Sequence, residues 1–280
     1  GLKANQIYIL DNGSDISKME SIKKKLESRV IWLGLEKNIG YASNFSRLFK
    51  ISNAKYLMAL HDDDIILEKT LITQLSILEN NEIDILSCNG YVLDENSILL
   101  KKKILRDYLK KDLIFFNNST EIASHIMNDS CIPFSPIIFR NSTTRDYALN
   151  MKDYEDQFKQ TLDAAFLHDL SDKLKIVLNM KPLYGCRVHS GQDSNIMDDF
   201  YNKKLIKHFY YKSKGSEIEI NNLKKKIKKV YTSNLIVQLI KYLISLKFDF
   251  AIKKYRSSIK EFLTVKFIGL FIYKNFYERF

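Results

Sequence analysis

Short apolar runs alternate with amphipathic helical stretches over the first part of this chain, and that rhythm restricts the fold more than any other property. Gln6-Ile7-Tyr8-Ile9-Leu10 reads as a strand that ends in the turn formers Asp11-Asn12-Gly13-Ser14. Ile16, Met19, Ile22 and Leu26 recur at helical spacing, which predicts a helix over residues 16–28. Val30-Ile31-Trp32-Leu33 follows as a second strand and Asn38-Ile39-Gly40 as a turn, after which Phe45, Leu48, Phe49 and Ser52 mark one face of another helix. Tyr56 to Leu60 reads as a third strand, Leu71, Leu75 and Leu78 line a third helix, and Ile83 to Cys88 form a fourth strand. Strands separated by single helices predict an α/β fold with a mostly parallel sheet flanked by helices and right-handed crossovers. Ligands of such sheets bind beyond the carboxyl ends of the strands.

At the end of the third strand the sequence is Leu60-His61-Asp62-Asp63-Asp64. Three carboxylates behind a buried strand repel one another and lose hydration. A hard divalent cation relieves both penalties, because such ions take carboxylate oxygens. On an extended chain Asp62 and Asp64 point to one side and Asp63 to the other. The expected seat is therefore a D-x-D pair on one face, able to hold a metal and, through it, a diphosphate. Asp11, at the end of the first strand, is expected on the same sheet edge.

The remainder is less regular. Residues 91–130 are polar and carry little signal beyond the run Lys101-Lys102-Lys103. Cys131 to Arg140 reads as a strand interrupted by Pro133 and Pro136, and residues 152–170 as one helix burying Phe158, Leu162 and Phe166. Ile176-Val177-Leu178 reads as a short strand ahead of a loop, Tyr184-Gly185-Cys186-Arg187-Val188-His189. From residue 201 the pattern is helical and basic, with a cationic run at Lys224–Lys229 and an apolar stripe of Ile236, Leu239, Ile240, Leu243 and Ile244. Residues 201–280 hold 19 Lys/Arg against 5 Asp/Glu, whereas the first 200 hold 25 against 28, so one segment carries all of the +11 net charge. We divide the chain accordingly into a domain at 1–199 and a basic helical region at 200–280. Cys88, Cys131 and Cys186 are odd in number and widely spaced, which favours a reducing compartment over a disulfide framework. No basic segment followed by an apolar one opens the chain, and no apolar run approaches the roughly 18 residues of a membrane span. A cytoplasmic protein, peripheral on the inner face of the membrane, is expected.

Four pieces in this order resemble glycosyltransferase family 2, inverting enzymes of the GT-A fold: Ile9-Leu10-Asp11-Asn12-Gly13-Ser14, Asn38-Ile39-Gly40-Tyr41-Ala42-Ser43-Asn44, Leu60-His61-Asp62-Asp63-Asp64, and Leu183-Tyr184-Gly185-Cys186-Arg187-Val188-His189. The family's opening strand and helix, a βα unit of about 30 residues, has no counterpart ahead of Gln6 and is expected upstream of Gly1. The resemblance implies a nucleoside diphosphate sugar donor, commonly a UDP-sugar, and a Mg²⁺ or Mn²⁺ ion. It implies that Asp11 meets the nucleotide base and that Asn38, Gly40 and Asn44 shape the loop beside it. Asp64 would ligate the metal, with Asp62 in the ligand set or on the ribose and Asp63 facing the donor. Arg187 would contact the diphosphate and His189 the diphosphate or the metal. The catalytic base is expected near the start of a helix upstream of the Arg187–His189 loop, where Asp163 fits best and Glu155 and Asp156 compete with it.

The acceptor implied is a hydroxyl of a cell-surface glycan or lipid-linked precursor. For the basic region, an anionic membrane surface and simple helix packing both remain open, while nucleic acid is not expected, since no binding motif is present. Two other functions fit the same fold: a nucleotidyltransferase that makes the activated sugar, and a non-catalytic glycan- or membrane-binding derivative.

Overall fold

Strand β1 (Tyr8–Ile9) and strand β2 (Ile31–Trp32) pair in parallel, joined by helix α1 (Ile16–Leu26), as the alternating pattern predicts. They form a two-stranded sheet of their own, with no ladder to the larger sheet that follows. The computed structural model that supplies these coordinates describes residues 7–26, 28–101, 103–105, 110–128, 131–191 and 199–230. Lys102 of the early lysine run, the stripe from Ile236 to Ile244 and every other residue after 230 lie outside the described residues.

Helix α2 (Tyr41–Ile51) follows β2 and buries Ala42, Phe45 and Phe49 along one face. Phe45 and Phe49 meet Phe139 at ring-centroid distances of 5.6 and 5.4 Å, and Phe134 stacks within 5.4 Å of Phe45. Four aromatic rings thus fix α2 against the sheet, at geometries that favour ring pairs. Beyond them come strand β3 (Tyr56–Ala59), strand β4 (Ile65–Ile66), helix α3 (Thr70–Asn81), strand β5 (Ile85–Leu93), strand β6 (Leu99–Lys101), strand β7 (Leu113–Phe116) and helix α4 (Ser119–Ile126). Strand β8 (Ile137–Arg140), helices α5 (Asn141–Leu149), α6 (Lys152–Phe158) and α7 (Leu162–Leu170), strand β9 (Ile176–Arg187) and helix α8 (Asp199–Lys212) complete the order.

The larger sheet has seven strands in the order β3-β8-β5-β9-β4, with β6 on β5 and β7 on β9. Its pairings are mixed. Only β5 and β9 run in parallel; β8 lies antiparallel between β3 and β5, and β4, β6 and β7 also pair antiparallel. The mostly parallel expectation extended the early strand–helix rhythm past its range, since from residue 85 strands follow one another without a helix between each pair. Strand β5 is buried from Ile85 to Gly90, as a central strand covered on both faces should be.

Three further expectations change. The single helix over 152–170 is two, α6 and α7, separated by a 3-10 turn at Lys159–Thr161 where Lys159 takes φ 40°. The short strand at 176–178 instead continues to Arg187, so the segment expected as a loop is sheet. Pro182 argued against that continuation, and the ladder accommodates it where the β5–β9 register shifts around Asn89. The third change concerns α3, whose fully buried line runs through Thr70, Gln74 and Leu78. Gln74 is held there by a 3.0 Å bond from Asn179 Nδ2 to its Oε1.

The chain divides into two compact units, Gly1–Ile220 and Asn221–Phe280. Helix α8 belongs to the first. Residues 217–230 are helical, and within the second unit Leu223 and Ile227, one turn apart, are buried while Lys225, Lys228 and Lys229 are exposed. No helix among the described residues is long and apolar enough to cross a membrane.

Candidate active site

The acidic run does not stay extended. Strand β3 stops at Ala59, and Asp62 and Asp63 occupy a turn in which Asp64 N–H donates to His61 O at 3.3 Å. A turn breaks the two-residue alternation that put Asp62 beside Asp64. Asp62 is exposed on the outside, and His61, Asp63 and Asp64 converge instead, with one potential ligand atom from each lying within 4.8 Å of the others. An imidazole nitrogen with two carboxylate oxygens suits Mn²⁺, and the carboxylates suit Mg²⁺. Directly after the turn, β4 pairs with Tyr184 and Gly185 of β9. That short ladder brings the end of β9 to the turn, where His189 Nε2 lies 3.3 Å from Asp63 Oδ2.

Asp64 is the carboxylate most enclosed by this arrangement. Burial pushes its pKa above the ordinary value and Asp63 adds to that, while the Ser135 hydroxyl, His61 and the Arg187 backbone N–H partly offset them. Ser135 also fixes the turn from the other side, its hydroxyl accepting from His61 N–H at 3.0 Å. The Cys186 thiol, pushed up to about 12 chiefly by burial and then by Asp64, stays protonated beside the carboxylate. A desolvated carboxylate next to a like charge is what a bound cation would stabilise.

Asp163 stands in the first turn of α7, with Oδ1 accepting from Ala164 N–H at 2.8 Å. Burial raises its pKa, the Ala164 N–H and His61 opposing. His61 therefore acts electrostatically on both Asp64 and Asp163. The rivals of Asp163 both stand on α6. Asp156 is exposed on α6, and Glu155 Oε1 accepts from Tyr41 N–H at 2.8 Å, at the first turn of α2. A carboxylate there satisfies an orphan helix donor and suits the positive end of the helix dipole.

The loop expected beside the nucleotide is tied together by its own side chains. Asn12 Nδ2 donates to Asn38 Oδ1 and to Gly40 O, Asn12 Oδ1 accepts from Ile39 N–H, and Asn38 Oδ1 accepts from Gly40 N–H. Asn44 Nδ2 donates to Leu10 O at 2.9 Å, which fastens α2 to the end of β1. Gly40 has φ 88°, and a Cβ there would sit 2.6 Å from Glu155 Oε1, so both backbone and space require glycine. Asp11 accepts from Ser14 N–H at 2.9 Å through Oδ1 and from Trp32 Nε1 at 3.3 Å through Oδ2. Burial opposes its charge, but those donors and the Arg47 guanidinium outweigh burial and hold its pKa below the ordinary value. Arg47 itself donates to Leu33 O, Asn44 Oδ1 and Asp11 O, joining β2, α2 and the β1 turn.

Residues 2–140 match the family described as Glycosyl transferase family 2. Over that span, just under half of the chain, the sequence is similar to glycosyl transferase family 2. A curated relative, the uncharacterized glycosyltransferase MJ1057 of Methanocaldococcus jannaschii, is 31% identical over 132 residues, covering 43% of this chain and 46% of its own. Crystal structures of S. aureus TarS 1–349 share the fold. The form in complex with UDP-GlcNAc superposes with a TM-score of 0.51 at 16% identity, over 79% of this chain and 61% of that one. The structure described simply as TarS 1–349 gives 0.52 at 14% identity, over 92% and 66%. The chain thus spans about half to two thirds of the length of the relatives it matches.

Within this fold the structure brings together Asp63, Asp64 and His189 at the acidic turn, and gathers Asn38, Gly40 and Asn44 with Asp11 around the β1–α2 loop. Asp62 is not part of the first cluster. The Arg187 side chain bonds Ser97 Oγ through Nε at 3.2 Å, and its backbone N–H serves Asp64. His61, to which the sequence assigned no role, joins the cluster with Asp63 and Asp64; its position next to three aspartates was the available signal. Asn12 was legible only as a member of the Asp11–Ser14 turn, and Arg47 carries no sequence signal beyond being a basic residue on a helix.

Proposed function

We propose that this chain is an inverting, metal-dependent glycosyltransferase that moves a sugar from a nucleoside diphosphate donor, a UDP-sugar, to an acceptor hydroxyl. The observation that carries this reading is the convergence of His61, Asp63 and Asp64 in the turn after β3, with His189 beside Asp63, which makes a seat for a divalent cation. TarS, whose structures contain UDP-GlcNAc and UDP, supports the choice of nucleotide. Asp163, with a pKa raised by burial, takes the acceptor proton as the hydroxyl oxygen attacks the anomeric carbon. The bond from that carbon to the diphosphate oxygen breaks, and the nucleoside diphosphate leaves with the electron pair. Asp64, Asp63 and His61 would hold Mg²⁺ or Mn²⁺, with His189 beside them; the ion supplies positive charge to the leaving diphosphate. Asp11 and the Asn12–Asn38–Gly40 loop hold the nucleotide base. Incubation with a UDP-sugar, Mn²⁺ and an acceptor should release UDP and give a glycoside whose anomeric configuration is inverted relative to the donor. Release of pyrophosphate, or retained configuration, would overturn the proposal in favour of the nucleotidyltransferase or a different displacement.

For the acceptor we infer a cell-surface glycan or lipid-linked saccharide made at the cytoplasmic face of the membrane. Support comes from the excess positive charge of residues 201–280 and from the exposed Lys225, Lys228 and Lys229 on a helix that buries Leu223 and Ile227. The full chain should co-sediment with phosphatidylglycerol vesicles and be released as salt rises to about 0.5 M, where exposed charges are screened. Equal binding to purely zwitterionic vesicles would refute the electrostatic contact.

A further inference from the structure

A second group of metal-ligating side chains lies away from the acidic turn. Helix α7 supplies the neighbours His168 and Asp169, and α8 supplies His208, so the three donors come from two helices. His168 Nδ1 lies 2.8 Å from Asp169 Oδ1, and His208 Nε2 lies 2.6 Å from the same oxygen. Each donor is fixed from behind. Ser213 Oγ is 2.9 Å from His168 Nε2, and Tyr154 OH donates to Asp169 Oδ2 at 3.0 Å. Phe158 packs against the His208 ring at 5.1 Å and Phe209 against the His168 ring at 4.9 Å. Metal sites are built this way: the second nitrogen of a ligating imidazole is hydrogen-bonded, and the ligating carboxylate is held by its other oxygen.

The chemistry of the set is selective. Two imidazole nitrogens and one carboxylate oxygen suit zinc and similar borderline ions, whereas Mg²⁺ and Ca²⁺ favour all-oxygen shells. The His168 side chain is fully enclosed, while His208 and Asp169 keep 15% and 30% exposure. Both face a recess of about 340 Å³ that Asp153, Tyr154 and Gln157 also line. A fourth ligand, water or the Asp153 carboxylate, has room there. Tetrahedral zinc with bonds of about 2.0–2.1 Å needs its donors roughly 3.3 Å apart. The present contacts would open by about half an ångström, within reach of small side-chain rotations.

We propose that His168, Asp169 and His208 form a zinc-class metal site joining α7 to α8, with its open position towards this recess. It is separate in place and donor chemistry from the cation seat at Asp64. The test uses the full chain stripped of metal by a chelator and titrated with Zn²⁺, then with Co²⁺ as a visible probe of nitrogen ligation. The Asp64→Asn protein should still take up one equivalent, show the absorption of four-coordinate Co²⁺, and melt at a higher temperature with Zn²⁺ than without. His208→Gln should lose that equivalent. Ser213→Ala, which removes only the partner behind His168, should weaken Zn²⁺ binding about 10- to 100-fold. No nitrogen-ligated Co²⁺ in Asp64→Asn, or Zn²⁺ affinity unchanged in His208→Gln, would overturn the proposal. Either failure leaves the sugar-transfer proposal standing, because that depends on Asp64 and Asp163.

Discussion

Replacing Asp163 by Asn lowers sugar transfer by roughly 10²- to 10⁴-fold, the range for removing a positioned proton acceptor, and leaves the Kd for the nucleoside diphosphate within a few-fold of its original value. Asn is close in shape, and its Oδ1 keeps the bond from Ala164 N–H. The loss therefore falls on kcat. A second readout follows from burial. The folded-state pKa of Asp163 lies above its unfolded value, so the contribution of this group to stability is fully present below the unfolded pKa and is lost as pH rises through the folded one. Above the unfolded value the folded wild type must either hold this carboxylate charged against burial or keep a proton that the unfolded chain releases, a cost the Asn variant lacks. The variant should melt at a higher temperature at pH 7, and the difference should shrink and vanish as pH falls towards the unfolded value of about 4. Melting curves at several pH values together with steady-state kinetics measure both. Unchanged kcat would remove Asp163 from the mechanism.

Asp64→Asn gives the other large effect, on different parameters. Losing an outer partner of a bound metal typically costs about 10- to 100-fold in affinity, and losing a direct ligand costs at least that much. Mn²⁺-dependent binding of the nucleoside diphosphate should weaken by this margin, and transfer should fall with it. Asp62→Asn should do far less, because Asp62 is exposed on the outer side of the turn. Calorimetric titration with and without Mn²⁺ distinguishes the two variants. A stronger effect from Asp62 than from Asp64 would refute the ligand set of His61, Asp63 and Asp64.

The contrast between those two aspartates shows where the sequence stops being legible. The strand–helix rhythm from β1 to β5 and the presence of acid at the end of β3 follow from apolar periodicity, which burial enforces. Which carboxylates converge depends on whether the backbone stays extended for three more residues, and the run itself carries no glycine or proline to mark the turn. Lys159 breaks the long helix in the same unannounced way, through a positive φ at an ordinary residue. Helix α4 did carry a signal. Asn118 Oδ1 accepts from Glu121 N–H and Glu121 reaches back to Asn117 N–H, an arrangement visible as an Asn followed three residues later by Glu. Asp163 was legible as a candidate through its spacing from the Arg187–His189 segment. The hydrogen bond that ties Glu155 to α2 was not, because it joins residues 114 apart.

That last contact bears on how the chain handles anions. A helix start facing a ligand cleft ordinarily attracts phosphate through its unpaired N–H groups. At α2 the place is already filled from within by the Glu155 carboxylate, held against Gly40, which has no side chain to displace it. The protein has no ready-made anion cradle at α2. Under the proposed mechanism the donor's charge would be matched by a cation brought in with it, so binding of the nucleoside diphosphate should itself depend on added metal.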